Sequence, residues 1–428
     1  MKPNARTFPA FLLLCVSAAL VPPSPRAGAV PAPAHAHPAA YRFVGGRWFD
    51  GRAFVPKTVY SVNGVLRTSH AGRVDETFDL GGRYVVPPFA EAHNHHFQEG
   101  MDYRAQVLEH LARGIFYAKN TNSIPKLTDP VRPHLNSPES VDVLFSGGGL
   151  TAPGGHPAQI YDYLAGRNLL PGLTRADVNG QAYFAIGSGK DLEAVWPAVK
   201  AGRPDFIKAY LEHSEEYEAR KDDPKFYGRR GLSPALLREV VRKAHGDGLR
   251  VAVHVNTAAD FRNALLAGAD EIAHLPLERI NAGDARRAAA GSVVVVTTTL
   301  SHRPTGHVKD PDEVHRHNLR LLHAAGARLA VGTDDNNRTA VEEAENLNRL
   351  GVFDRLTLLK LWVEDTPQAI FPARKIGALS DGYEASFITL DGNPLDDFAN
   401  VRRVRFRFKQ GHPIRATDPG AGKPPAPK

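Results

Sequence analysis

A chain of 428 residues with 42% hydrophobic and 23% charged residues has room for a barrel-sized domain plus a smaller unit, and it does not have the composition of a disordered or fibrous protein. A formal charge of +7 over this length is too weak to argue for a nucleic-acid partner, and a single cysteine excludes a disulfide framework.

The first residues read as an export signal. Lys2 and Arg6 form a short basic start, and Phe11 to Val21 is apolar but too short for a stable membrane anchor. Ala27-Gly28-Ala29 offers a cleavage site, with a second option at Ala34 to Ala36. Leu14, immediately before Cys15, argues against a lipoprotein. Residues 1–29 are therefore expected to be removed and the mature protein to be periplasmic or secreted. Loss of Lys2, Arg6 and Arg26 brings the formal charge from +7 to +4, and Cys15 leaves with them. Any metal must then be held by His, Asp, Glu or a lysine derivative.

Residues 30–40, rich in Pro, Ala and His, read as an unstructured leader. Short strand signals separated by glycines follow over 41–86, with Asn63-Gly64 as a hairpin turn. Strand character returns near the end in ASFITLDG (385–392) and in VRRVRFRFK (401–409). In the latter, Arg403, Arg405, Arg407 and Lys409 alternate with Val404, Phe406 and Phe408, which predicts an outer strand with a solvated basic face. Residues 41–86 and 375–413 are expected to pair as one small β-sandwich domain.

Between them, over 87–374, apolar runs alternate with helical segments. The eight runs are 84–92, 114–120, 141–147, 204–210, 250–255, 271–275, 292–298 and 328–334. Near-continuous apolar strands alternating with helices predict a parallel sheet covered on both faces, and eight units predict a (β/α)8 TIM barrel of the α/β class. The helices carry clear punctuation. Ser233 and Pro234 open one that closes at Gly246, and another ends at Gly268.

Barrel enzymes place chemistry at the C-terminal ends of strands. The first run ends in His93-Asn94-His95, and the fourth carries Lys208. His254 and His274 end the fifth and sixth, and Asp334 ends the eighth. Residues two apart in a strand share a face, so His93 and His95 can share a metal ion. Val251, Val253 and Val255 would face the helices, leaving Ala252 and His254 toward the axis. A His-x-His pair alone is weak among 19 histidines. His35 and His37 lie in the leader. His315 and His317 lie in a helical stretch, where residues two apart diverge. Taken singly, His254 or His274 reads better as a satisfied buried histidine and Lys208 as a strand-end lysine. The ordered set persuades where the single residues do not.

That order resembles the amidohydrolase superfamily. VPPFAEAHNHH resembles its first-strand block, DFIKAY its lysine-bearing fourth strand, AVHV and EIAHL its histidine strands, and AVGTDD its eighth-strand aspartate. DTPQAIF and IGALSDGYEASFITLDGNPLDDF resemble its return to the small β domain. The likeness covers about residues 41–410. Lys208 and the Gly154-Gly155-His156 turn point to the imidazolonepropionase-like branch that includes Xaa-Pro dipeptidases. The chain departs from the pattern at Pro88, in the second strand GIFYAKNTN, and in a third histidine, His96.

The resemblance implies a hydrolase of amide or peptide-like bonds in small molecules, such as dipeptides or N-acyl amino acids. It would use a hydroxide bridging two divalent metals, zinc being the expected ion. Lys208, carboxylated by CO2, would bridge them. His93, His95, Lys208 and Asp334 would hold one ion, and Lys208, His254 and His274 the other. Asp334 would be the catalytic proton carrier. His156 is a candidate catalytic donor and substrate-binding residue. Tyr210 and His302, just past the fourth and seventh strands, are candidate substrate-binding residues. The charged stretch 211–231, with Arg220, Lys221, Arg229 and Arg230, reads as a lid that could close on a substrate carboxylate. Two other readings stay open. One is a one-metal deaminase or cyclic-amide or lactone hydrolase of the same superfamily, and the other is a non-catalytic periplasmic binding protein. A small molecule is the expected partner, without nucleic acid or a stable membrane anchor, and a homo-oligomer is compatible with the sequence.

Overall fold

Two glycine-punctuated ends of the chain build one sheet. Strands β1 (Ala40–Phe49), β2 (Phe54–Val62), β3 (Val65–Arg67), β4 (Glu76–Asp79) and β5 (Tyr84–Val86) come first. The computed structural model describes residues 40–301 and 310–414, all within the unit Pro38–Lys428. The export signal, the leader with its His35 and His37 up to residue 39, and His302 lie outside the described residues, while Ala40 already belongs to β1. The turn between β2 and β3 is Asn63-Gly64, both in the left-handed region (φ 51° and 75°), as a two-residue hairpin requires.

The central segment contributes β6 (Phe89–Asn94), β7 (Ile115–Asn120), β8 (Asp142–Phe145), β9 (Gly149–Thr151), β10 (Tyr183–Ala185), β11 (Ile207–Tyr210), β12 (Val251–His254), β13 (Glu271–Ile272), β14 (Val294–Val296) and β15 (Arg328–Ala330). The chain then returns through β16 (Phe387–Leu390), β17 (Val404–Lys409) and β18 (His412–Pro413). These last strands join the first five in a mixed eight-stranded sheet, ordered β18-β17-β16-β5-β1-β2-β3 with β4 on β1. Phe43 is its aromatic hub, within 4.9 Å of the Phe387 and Phe408 ring centres in edge-on geometry.

The central strands are parallel. They form a three-stranded sheet β6-β7-β8 and a seven-stranded sheet β10-β9-β11-β12-β13-β14-β15. Backbone bonds also run between the sheets: Ala92 N donates to Val331 O and Asp334 N to His93 O, both at 2.8 Å, and Asp205 N donates to Phe145 O at 2.7 Å. Packed helices cover the strands. Helix Pro234–Gly246 starts with the Ser233 hydroxyl accepting from Leu236 N, as its sequence predicts. Helix Ala258–Ala267 opens with a Thr257/Asp260 capping box and closes on left-handed Gly268. His315 and His317 lie in helix Pro311–Ala324. Among the described residues no helix is long and apolar enough to cross a membrane.

Three expectations are corrected. The stretch 84–92 is two strands in different sheets, because Pro87 and Pro88 cannot donate to a ladder. The run 141–147 breaks at Gly147, whose φ of 66° turns the chain out of β8 and into β9, and β10 pairs beside it. The basic strand β17 is not a solvated outer strand, since β18 pairs on its far side. Arg407 and Lys409 are buried: Arg407 donates to Ala112 O, and Lys409 Nζ donates to Asp142 Oδ1 at 2.6 Å and to Ser137 O at 2.6 Å.

Candidate metal centre

The geometry starts from two adjacent strand ends. β6 carries His93, with His95 just beyond it, and the segment after β15 runs alongside through the two interstrand bonds given above. Gly332 permits that approach, since a Cβ there would lie 2.7 Å from His93 N. Buried Glu91 fastens the same junction. Its carboxyl accepts from Thr333 N and Thr333 Oγ1, both at 2.9 Å, and from His93 N at 3.2 Å. Burial pushes this carboxyl up to about 8 against those donors.

Asp334 sits at the end of this junction in the left-handed region, φ 54°, unusual for a residue with a side chain. Its Oδ1 lies 2.8 Å from His95 Nε2 and 3.3 Å from His93 Nε2, and its Oδ2 is 3.7 Å from His274 Nδ1. His93, His95 and Asp334 offer donor atoms all within 4.8 Å of one another. Burial opposes ionisation of Asp334, but its close contacts with the His93 and His95 rings hold its carboxyl well below the usual range. Burial lowers His93 to about 4, so its imidazole is neutral at physiological pH and has an electron pair to give.

A second set of rings adjoins the first. The His274 ring centre is 4.7 Å from those of His93 and His254, and His156 stacks on His254 at 4.7 Å and 22°. Tyr210 closes the group, 5.3 Å from His156 and 5.5 Å from His254. Burial lowers His156 to about 3. Its backbone N–H donates to Arg230 O at 2.8 Å, and its Nδ1 lies 3.4 Å from Gln159 Nε2.

Lys208 projects from β11 with a side chain 1% exposed, and its Nζ is buried with no hydrogen-bond partner, 5.3 Å from the Tyr210 ring centre. Burial pushes the amine down to about 7, against Asp334 and Glu271. A buried ammonium without a partner is expensive, whereas a neutral amine can be carboxylated by CO2. Neutral imidazoles, an ionised carboxylate and a lysine nitrogen in need of a partner form a donor set that fits divalent metals.

The structure thus brings together His93, His95, His254, His274, Asp334, His156 and Tyr210, with Lys208 next to Tyr210. Sequence reasoning missed four contributors. Glu91 is an acid inside an apolar strand run, which was a legible signal. Glu212 accepts from His254 Nε2 at 3.2 Å, fixing the ring proton there and making Nδ1 the pair-donating nitrogen. Thr298, at φ 41°, places Oγ1 3.1 Å from His274 Nδ1. Gln159 lies against His156, as given above.

The segment 211–231 differs from a structureless lid. It contains short helical turns at Ser214–Glu216, Tyr217–Arg220 and Pro224–Phe226. Most of its cationic groups bond within the segment itself. Arg220 binds Glu216 at 2.6 Å and donates to Arg229 O at 3.0 Å, Arg229 donates to Lys225 O at 2.8 Å, and Arg230 donates to Lys221 O at 2.6 Å. Lys221 pairs with Glu218 at 2.9 Å. These bonds brace the segment, while Arg230 Nε is buried without a hydrogen-bond partner.

A match to the amidohydrolase family spans residues 84–413, and the chain belongs to that family. It is similar to the ochratoxinase of Aspergillus niger, 27% identical over 222 residues, which are 48% of this chain and 45% of that protein. It is also similar to the imidazolonepropionase of Chromobacterium violaceum, 25% identical over 304 residues, 62% of this chain and 65% of that one. The matched stretch is thus less than two thirds of either relative. The fold is similar to the crystal structure of the Aspergillus niger ochratoxinase, with TM-score 0.69 and 17% identity over 90% of this chain and 97% of that one. It is likewise similar to that of a prolidase complexed with N-methylphosphonate-L-proline, with TM-score 0.69 and 18% identity over 88% and 99%.

Proposed function

We propose that the chain is an exported hydrolase of amide or peptide-like bonds in small molecules, such as dipeptides or N-acyl amino acids. The observation that carries this reading is the Asp334 carboxylate held between His93 and His95, with buried, partnerless Lys208 in the same site. The parallel strands close as a (β/α)8 barrel under this reading, which the backbone bonds linking the two sheets support. Under the same reading the mixed sheet would belong to the small β-sandwich domain built from both chain ends.

His93, His95 and Asp334 would hold one divalent ion, zinc being the expected one. His254 and His274 would hold a second, and Lys208, carboxylated by CO2, would bridge the two. When bound, the ions supply Lewis acidity and lower the pKa of water toward neutrality. The chain's own groups do the rest. Asp334 would take a proton from the attacking water at its carboxylate oxygen and pass it to the leaving nitrogen, since its histidine partners keep it ionised against the burial that opposes this. Neutral His156, with Nδ1 turned to Gln159, presents Nε2–H as a donor to the substrate carbonyl or carboxylate oxygen. Tyr210 packs beside it and forms one wall. Two relatives named ochratoxinase and prolidase support an amide-cleaving class.

The test is a panel of Xaa-Pro dipeptides, N-acyl amino acids and lactones with the metal-loaded protein. Amide cleavage is expected. Lactone turnover without measurable amide cleavage would contradict the substrate class. Sequencing of the mature N-terminus checks export, and recovery of residues 1–20 would contradict it.

A further inference from the structure

The third histidine of the HNHH run stands outside the candidate centre. His96 is buried, yet it is not among the group whose donor atoms converge at Asp334. Its Nε2 lies 2.8 Å from the backbone carbonyl oxygen of Asp335. A carbonyl only accepts, so the ring proton is on Nε2 and the ring donates there. A nitrogen that carries this proton cannot also bind a metal.

What the bond fixes is the backbone next to Asp334. Asp334 adopts the left-handed conformation, which is strained for a residue with a side chain and persists only where its surroundings hold it. Two anchors flank it, and both come from the same four-residue run. On the N-terminal side, Asp334 N–H donates to His93 O at 2.8 Å. On the C-terminal side, Asp335 O accepts from His96 Nε2. The His96 ring is itself held. Its backbone N–H donates to Asn94 Oδ1 at 3.0 Å, and its ring meets that of His110 edge-on, 5.3 Å apart at 71°. The Asp335 side chain is also braced, accepting from Asn337 N at 2.7 Å and Ser301 Oγ at 3.2 Å.

We infer that His96 is a positioning residue: through Asp335 O it holds the backbone turn that aims the Asp334 carboxylate at His93 and His95. The run then divides its labour, with His93 and His95 gripping the carboxylate and His96 gripping the chain that carries it. This inference rests on the reading of Asp334 as a metal ligand.

The experiment loads wild type, His96→Phe, His96→Gln and His96→Asn with cobalt(II), then records the visible spectrum and the rate of cobalt loss to a chelator. Phenylalanine fills the volume but cannot donate, glutamine places an amide N–H near the lost Nε2–H, and asparagine is too short to reach. The Phe and Asn variants are expected to lose cobalt about tenfold faster or more, with an altered spectrum, and Gln to restore both toward wild type. Should the Phe variant fail to fold, the Asn and Gln pair decides alone. Wild-type spectrum and release rate in folded Phe or Asn variants would overturn the inference, as would a Gln variant as impaired as Asn. If wild type takes up no cobalt, the metal reading itself falls and takes this inference with it.

Discussion

Lys409 Nζ and Asp142 Oδ1 meet at 2.6 Å with both side chains buried, tying β17 of the mixed sheet to β8 of the parallel strands. Asp142 Oδ2 also accepts from Arg374 at 2.7 Å, and Arg374 binds Glu384 at 2.6 Å. Two carboxylates, Asp142 and Glu384, thus balance two cations at the junction between the mixed sheet and the parallel strands.

Removing that carboxylate leaves Lys409 buried without its counter-charge. Asp142→Ala is expected to cost about 3–5 kcal/mol in urea unfolding. The double variant Asp142→Leu with Lys409→Met should recover much of the loss, because it removes the orphaned charge as well. An Asp142→Ala protein within about 0.5 kcal/mol of wild type would show that this pair is not structural.

Acid sensitivity follows from His110, which is buried and held neutral. Burial lowers it to about 3 from the ordinary 6.5, and its Nδ1 donates to Gln106 O at 2.7 Å. Below pH 6.5 the unfolded chain protonates this imidazole while the folded chain does not. Its contribution is therefore fully present above pH 6.5 and is lost as pH falls toward 3, at about 1.4 kcal/mol per pH unit. Urea midpoints between pH 4.5 and 7.5 should fall less steeply for His110→Leu, by about one proton's worth. Equal slopes would contradict this.

Asp334→Asn should retain most bound metal and lose about 10²–10⁴-fold in kcat on the amide substrate found by the panel, because the amide cannot accept the proton. Near-normal kcat would remove Asp334 from proton transfer.

Glu212 acts through His254. Glu212→Ala is expected to weaken metal binding about 10–100-fold, with Glu212→Gln milder because its side-chain oxygen still accepts from Nε2. Competition titration against a chelator reads this directly. Unchanged affinity in Glu212→Ala would show that the 3.2 Å contact does not orient the ring.

Much of this architecture was legible because strand period and residue type agreed. Val251, Val253 and Val255 marked β12, and His254 followed in phase at its end. Helices were readable where a cap such as Ser233 preceded the apolar stripe. Other features depended on partners that sequence does not show. The basic alternation of β17 looks solvated until Asp142 is found 267 residues away. β9, set off by the Gly147 break, and β10 are three-residue strands, too short for periodicity to register. Glu212 is indistinguishable within LEHSEEYEAR from its solvated neighbours. His96 binds a backbone carbonyl 239 residues distant, which no side-chain pattern encodes.

The central claim, that Asp334 and Lys208 belong to a two-metal centre, is tested most directly by elemental analysis of the purified protein. The protein is grown with added zinc and bicarbonate, beside Lys208→Ala. About two divalent ions per chain are predicted for wild type, with clear loss in the folded variant. One ion or none per folded wild-type chain, or a Lys208→Ala protein that keeps the full complement, would contradict it.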